Sequence, residues 1–287
     1  MAAEVEALFG PMGDHAGPFA VEIVFETAAP PRPARAADEV YQVISLWRDG
    51  DELVVDSGGP LRAHATATRV VVGGVVEDGP LGSALLRRVV HHVIAHILSL
   101  AGRLVAHGAA IGRSGRAVLL LGASGSGKST SAYLASLAGW SLLSDDLVVV
   151  RRSASGIEAI GIHRAIAVPP DVADITSADI EYDSRDRRRP DITLDSRPHE
   201  LVAVVLVEHG TGAGSVESAS GVSVANAFIG STPAAGNVGI AAEALHTASV
   251  LATMTCRRLL LPGSAAERQR YLAGLFEQIA DAAGIEP

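Results

Sequence analysis

Three observations predict an α/β fold with α+β character, in which a mixed sheet flanked by helices follows a small β-rich N-terminal unit. Residues 117–146, AVLLLGASGSGKSTSAYLASLAGWSLLSDD, run from a short apolar stretch through a glycine-rich turn into a helix-compatible segment. They end in a second apolar stretch and an acid pair. Before residue 80 the chain reads as short apolar runs separated by turn signals, the pattern of a small antiparallel unit. Towards the end, the β-branched run 201–207 and the strand candidate 257–261 alternate with helical spacings over 234–255 and 265–283. Two units are therefore expected, 1–80 and 81–287, the second organised around the glycine-rich turn.

That turn carries the chemistry. Gly122-Ala123-Ser124-Gly125-Ser126-Gly127-Lys128-Ser129 matches G-x-x-x-x-G-K-[ST] at every fixed position, and Thr130 follows. It stands between a strand candidate and a helix candidate, the context this phosphate-loop pattern needs. Glycines let successive backbone N–H groups turn toward one point, and the helix start adds its positive dipole end. Lys128 is expected to reach the β- and γ-phosphates of a nucleoside triphosphate, and the Ser129 hydroxyl to ligate Mg²⁺. Lys128 is also the lone lysine among 23 basic residues, the rest being arginine. A compact ammonium and a planar guanidinium do not replace each other around a phosphate, so its place in the loop is informative.

Composition narrows the classes. At 287 residues, with 48% hydrophobic residues, the chain is long enough and apolar enough for a real core. A net charge of −9 lacks the basic footprint of a general nucleic-acid binder. Cys256 is the single cysteine, which excludes an internal disulfide framework and suits a reducing compartment. Glu4 and Glu6 stand where a signal peptide would be basic, and no window reaches the roughly 18 apolar residues of a membrane helix. A cytoplasmic protein without membrane or nucleic-acid partners is expected.

In the first unit, strands are expected at 21–25, 40–47, 52–55 and 63–72. A proline-punctuated loop separates the first two, and Asp49-Gly50 forms a hairpin turn before the third. The spacing of Leu85, Val89, Val93, Ile97 and Leu100 predicts a helix over 81–100. His92 and His96 lie on it at i, i+4, without the intervening acid of H-E-x-x-H, and read as helix histidines rather than a metal pair. Residues 102–112 and 116–121 are expected to form a hairpin, its second arm leading into the phosphate loop. His107, in the first arm, reads equally as a core histidine or as a group facing the phosphates. Further strands are expected at 147–151 and 160–168. Residues 171–198 read as a solvated loop containing the run Arg185-Asp186-Arg187-Arg188-Arg189, and 212–221 as loop or edge strand.

Absent elements sort the phosphate-loop classes. The Asn-Lys-x-Asp guanine reader needs a second lysine, and the Leu-Ser-Gly-Gly of transport ATPases does not occur. Present instead is Asp145-Asp146, separated from Lys128 by one helix and one strand. The pair is expected to end the strand beside the loop strand and to face the γ-phosphate. Phosphoryl transfer asks for one carboxylate on the acceptor hydroxyl and another on the metal.

Leu104-Val105-Ala106-His107-Gly108-Ala109-Ala110-Ile111, the loop from Gly122 to Thr130, and Leu142-Leu143-Ser144-Asp145-Asp146 together resemble the HPr kinase/phosphorylase superfamily. The resemblance is to its shorter bacterial branch, which includes lasso-peptide precursor kinases, and it covers about 50 residues. It implies ATP and Mg²⁺ as cofactors and phosphate transfer to a serine or similar hydroxyl of a peptide, protein or small molecule. By position it implies Asp145 as general base, Asp146 and Ser129 at the metal, and His107 supporting the acid site. It also raises association into homo-oligomers. The glycine-rich Glu-Ile-Arg-Gly-Leu-Gly segment of bifunctional members is replaced here by Gly161-Ile162-His163-Arg164-Ala165-Ile166. HPr as acceptor and the reverse phosphorolysis are thus not implied, and His163 and Arg164 stand as candidate replacements. A nucleotide-binding regulatory module without transfer chemistry is the competing class.

Overall fold

The computed structural model describes residues 22–41, 44–75, 80–154, 156–162, 180–182, 188–190, 192, 194–210, 214–232 and 238–286. The chain divides into two compact units between Arg103 and Leu104.

The first unit is a six-stranded sheet and a helix. Its strands are β1 (Glu22–Glu26), β2 (Glu39–Tyr41), β3 (Ile44–Asp49), β4 (Glu52–Asp56), β5 (Arg62–Ala65) and β6 (Arg69–Gly73), in the order β1-β6-β5-β4-β3-β2. All neighbours are antiparallel except β1 and β6. Two expected strands prove to be hairpins. The run 40–47 breaks after Tyr41, which pairs with Ile44. The run 63–72 turns after Ala65, where the Thr66 hydroxyl accepts from Arg69 N at 3.1 Å. The second turn is closed by this local contact, which apolar alternation does not reveal. Helix α1 (Pro80–Leu100) packs on β4 and β5, so it belongs with this sheet. Val89, Val93 and Ile97 are buried as the spacing requires. His96 is fully buried, and its Nε2 donates to Asp51 O at 3.0 Å. It is a satisfied core histidine. Burial, reinforced by the Arg48 charge, lowers the pKa of His92.

Asp56 is the polar keystone of this unit. Its carboxylate is completely buried and accepts from Arg62 Nε and Arg32 Nε, each at 2.8 Å, and from Gly58 N at 2.7 Å. The Arg32 contact ties the proline-rich loop to the sheet. Burial opposes ionisation, but the hydrogen bonds from Arg62, Gly58 and Arg32 outweigh it and hold the pKa below the usual carboxylate value. Its contribution is therefore complete above the unfolded value of about 3.9 and disappears as pH falls through the lower folded value. Asp56→Ala is expected to cost about 3 kcal/mol at pH 7, because two guanidinium groups lose a buried partner. Urea denaturation should show the gap between wild type and variant shrinking below about pH 4. A gap that is constant with pH would contradict this role.

The second unit is a three-layer α/β/α arrangement. β7 (Leu104–His107), β8 (Ala109–Arg113) and β9 (Arg116–Leu121) precede helix α2 (Lys128–Leu137). β10 (Ser141–Ser144), β11 (Leu147–Ser153), β12 (Gly156–Gly161) and the short pair β13 (Ile180–Tyr182) and β14 (Arg188–Pro190) follow. The chain closes with β15 (His199–His209), β16 (Ser215–Ser218), α3 (Gly221–Ser231), α4 (Val238–Leu251), β17 (Thr255–Leu261) and α5 (Ala265–Ala283). The sheet is mixed. β9, β15 and β17 run parallel, with β15 in the middle, β8 antiparallel to β9, and β10 outside β8. β12, β11 and β7 extend from the N-terminal end of β15.

Alternation along the central strands sends Val118, Leu120, Val205 and Val207 to one face and Ala117, Leu119, Leu121, Val204 and Leu206 to the other. The first face packs with Tyr133 of α2 and Phe276 of α5, the second with Phe228 of α3 and Leu251 of α4. The hairpin of β8 and β9 forms as expected. Arg113 pairs with Arg116 across Ser114 and Gly115, both at positive φ, the combination that suits the strand twist. The run 102–112 is two strands, however. It breaks at Gly108, where a side chain would strike Leu120 O at 2.8 Å, and β7 leaves β8's neighbours to pair with β11. Helix α3 was not foreseen. Its start is marked by Ser220, whose hydroxyl accepts from Ser223 N at 3.1 Å. Of the expected strand 160–168, only the part to Gly161 lies in β12, and 163–168 fall outside the described residues.

Candidate functional site

The phosphate loop leaves β9 at Gly122 and enters α2 at Lys128. It lies across the ends of β15 and β17, and two glycines make that approach possible. A Cβ at Gly122 would meet Val207 O at 2.5 Å, and one at Gly127 would strike the Leu261 side chain. Gly127 caps α2 in the left-handed region at φ 99°, and no side chain caps the helix. No acidic residue lies in its first turn. The N–H groups of that turn are thus left without a side-chain acceptor at the mouth of the loop. Ala123, Ser124 and Gly125 are exposed, whereas Ser126 and Thr130 are buried. The Ser126 hydroxyl has no hydrogen-bond partner among the described residues.

Lys128 is 5% exposed, and its ammonium donates to Gly122 O at 2.8 Å and to Ala123 O at 3.0 Å. Burial lowers its pKa, and the charge of Asp146 works the other way. The lysine is thus folded onto its own loop and within electrostatic reach of the acid pair.

Asp145 and Asp146 follow β10 directly. Their strand is not beside the loop strand, as expected from the sequence, because β8 lies between β10 and β9. The link to the loop is made by α2 instead. The Ser129 hydroxyl, in the first turn of the helix, donates to Asp145 O at 3.3 Å. The turn between β10 and β11 is held by the buried Ser144 hydroxyl, which donates to Leu147 O at 2.7 Å. His107 ends β7, and its Nδ1 donates to Asp146 Oδ1 at 3.0 Å. Its side chain is 47% exposed, which decides between its two readings: it is a rim group on the acid pair and not a core histidine. Gly108 N donates to Asp146 O at 3.0 Å and fixes the same corner from the backbone.

Lys128, Ser129, Asp145, Asp146 and His107 are therefore neighbours in one corner. His163, Arg164 and Arg185 to Arg187 fall outside the described residues, whereas Arg188 and Arg189 lie in the short strand β14. Against the loop, sequence reasoning missed a group of residues. Glu208 and His209 end β15, and His209 Nε2 donates to Gly125 O at 2.9 Å. Arg258 Nε pairs with Glu208 Oε1 at 3.2 Å. The available signal was a polar pair closing an apolar parallel strand, since ligands gather outside the carboxyl ends of such strands.

A nucleoside triphosphate fits the loop by two local observations: an uncapped helix start and a buried, unpartnered serine hydroxyl. For Mg²⁺ the chemistry of the donors fits, a hydroxyl at Ser129 and a carboxylate at Asp146 within the corner. Among the described residues, no group of three or more His, Cys, Asp or Glu side chains is placed to hold a metal by itself. An ion carried mainly by phosphates needs no such cage. No described helix is long and apolar enough to cross a membrane.

No family model matches the chain, and no curated protein matches it. Among solved structures, the HPr(Ser) kinase/phosphatase from Coxiella burnetii is a distant neighbour. It is 14% identical, with a TM-score of 0.25, over 36% of this chain and 58% of that one. The chain thus spans little more than half of that protein's length. This degree of likeness carries no weight for function.

Proposed function

We propose that the protein is an ATP-dependent phosphotransferase that passes the γ-phosphoryl group to a hydroxyl, foremost a serine of a peptide or protein. The observation that carries the reading is the Ser129–Asp145 contact, which sets the acid pair against the first turn of the phosphate-loop helix. The loop amides and Lys128 would hold the phosphates, and Ser129 with Asp146 would hold Mg²⁺. The ion, when bound, neutralises phosphate charge. Asp145 would orient the acceptor hydroxyl and take its proton as the new O–P bond forms and the bond to the β-phosphate oxygen breaks, leaving ADP. His107, through its bond to Asp146, acts as a positioning residue.

The test is mass spectrometry of serine-containing peptides and small hydroxyl compounds incubated with the protein, ATP and Mg²⁺. Gain of one phosphoryl group on one acceptor class is the expected outcome and identifies the substrate. ATP binding without transfer to any hydroxyl, water included, would favour a regulatory nucleotide-binding module.

A further inference from the structure

The phosphate loop rests on the ends of two paired parallel strands, β15 and β17. His209 and Leu261 are register partners there, and Gly210 N donates to Leu261 O at 3.0 Å just beyond them. This end of the sheet meets the loop at Gly122, Gly125 and Gly127. Val207 O closes on Gly122 and the Leu261 side chain on Gly127, both at approaches that leave no room for a Cβ. The contact at Gly125 is of another kind. Nothing lies within 4 Å of a Cβ placed there, and the strand reaches the loop through the His209 Nε2 bond to Gly125 O at 2.9 Å. We infer that His209 is a positioning residue for phosphate binding, which latches the Gly125–Ser126 peptide with its carbonyl turned to β15 and away from the phosphates. The inference rests on the phosphotransferase reading and deepens it.

The peptide plane carries the argument. In a trans peptide the C=O and the N–H point in opposite directions, so holding one end orients the other. Here both ends are held: Gly125 O accepts from His209, and Ser126 N donates to Ala123 O at 3.1 Å. Gly125 sits at φ 82° in open space, so this plane can turn over at little steric cost. Turned over, it would aim a carbonyl oxygen where the Ser126 N–H now points. A carbonyl there would repel phosphate oxygens, which only accept. The hold at Ser126 depends on the ligand, because Ala123 O also accepts from the Lys128 ammonium at 3.0 Å. Bound phosphates would draw that ammonium away. The hold at Gly125 comes from the sheet and does not change with that move. The imidazole serves only with its proton on Nε2, since a carbonyl oxygen accepts and does not donate.

Titration calorimetry with ATP and with inorganic tripolyphosphate, each with Mg²⁺, tests the latch in wild type, His209→Ala and His209→Gln. Without the hydrogen bond that preorganises the loop, His209→Ala should bind both ligands more weakly by the same factor, about five- to tenfold. His209→Gln, whose amide offers an N–H at similar reach, should return both affinities to within about twofold of wild type. Equal losses separate an effect on the loop from a contact to the nucleoside, and the rescue separates a donor from a packing group. In the ligand-free protein, the Ser126 amide resonance should shift in His209→Ala and return in His209→Gln. Wild type alone supplies one more check, because its neutral imidazole has to hold the proton on Nε2. A proton on Nδ1, read from nitrogen NMR spectra, would overturn the latch even where a variant fails to fold. Unchanged affinities in His209→Ala, loss of ATP binding alone, or no recovery in His209→Gln would also overturn it, and each would leave the phosphotransferase reading standing. Binding of neither ligand by wild type would overturn that reading and the latch with it.

Discussion

Lys128→Ala should lower ATP affinity by at least about 10²-fold while leaving the melting temperature of the ligand-free protein nearly unchanged. The two halves of this expectation have separate causes. Bound phosphates would lose a charge-assisted donor. In the ligand-free protein, the same ammonium is a buried cation whose partners are two neutral carbonyls, Gly122 O and Ala123 O. Burial lowers its pKa by more than the charge of Asp146 raises it, so on balance the surroundings disfavour the charged form. Its removal relieves a desolvated charge and leaves two carbonyls that water can reach through the exposed Ala123. Lys128→Arg should fail to restore binding, because a planar fork cannot take the place of a point charge in the narrow turn. Titration calorimetry with ATP, paired with thermal denaturation, checks both halves. Unchanged ATP affinity would remove the loop from the site.

What was legible in the sequence follows from which interactions are local. The loop, its helix and the strand before them were readable because glycines, Lys128 and an apolar run act within a few residues of each other. The core strand of β15 was readable from its β-branched run, and α1 and α5 from their periodicity. The capping box on α5, with Ser264 and Glu267 exchanging bonds, is equally local. Strand neighbours were not. Nothing within 109–121 says that β8 will separate β10 from β9, since that order depends on pairings between distant segments. The break at Gly108 is of the same kind, being set by the close approach of Leu120 O. Helix α3 escaped because its small residues, Gly221, Ala225, Ala227 and Gly230, mimic a loop composition. It is held as a helix by the burial of Val224 and Phe228. The ion pair of Glu208 with Arg258 was hidden for the same reason, since the two meet only because β15 and β17 pair.

Asp145→Asn should leave ATP affinity within a few-fold of wild type and lower the transfer rate by about 10²–10⁴-fold. An amide keeps the shape and the hydrogen-bonding reach of the carboxylate but cannot take the acceptor proton. Ground-state binding should survive because the contact seen between Asp145 and the loop helix runs through its backbone carbonyl to Ser129, which the substitution does not touch. The split between binding and rate is what separates a phosphotransferase from a regulatory module. A module would show no rate to lose, and its nucleotide-dependent behaviour would be the same in the variant. A loss of ATP affinity equal to the loss of rate would instead place Asp145 among the phosphate or metal ligands, and the base would have to be sought at Asp146. Single-turnover measurements at saturating ATP, read beside calorimetric affinities, distinguish these outcomes.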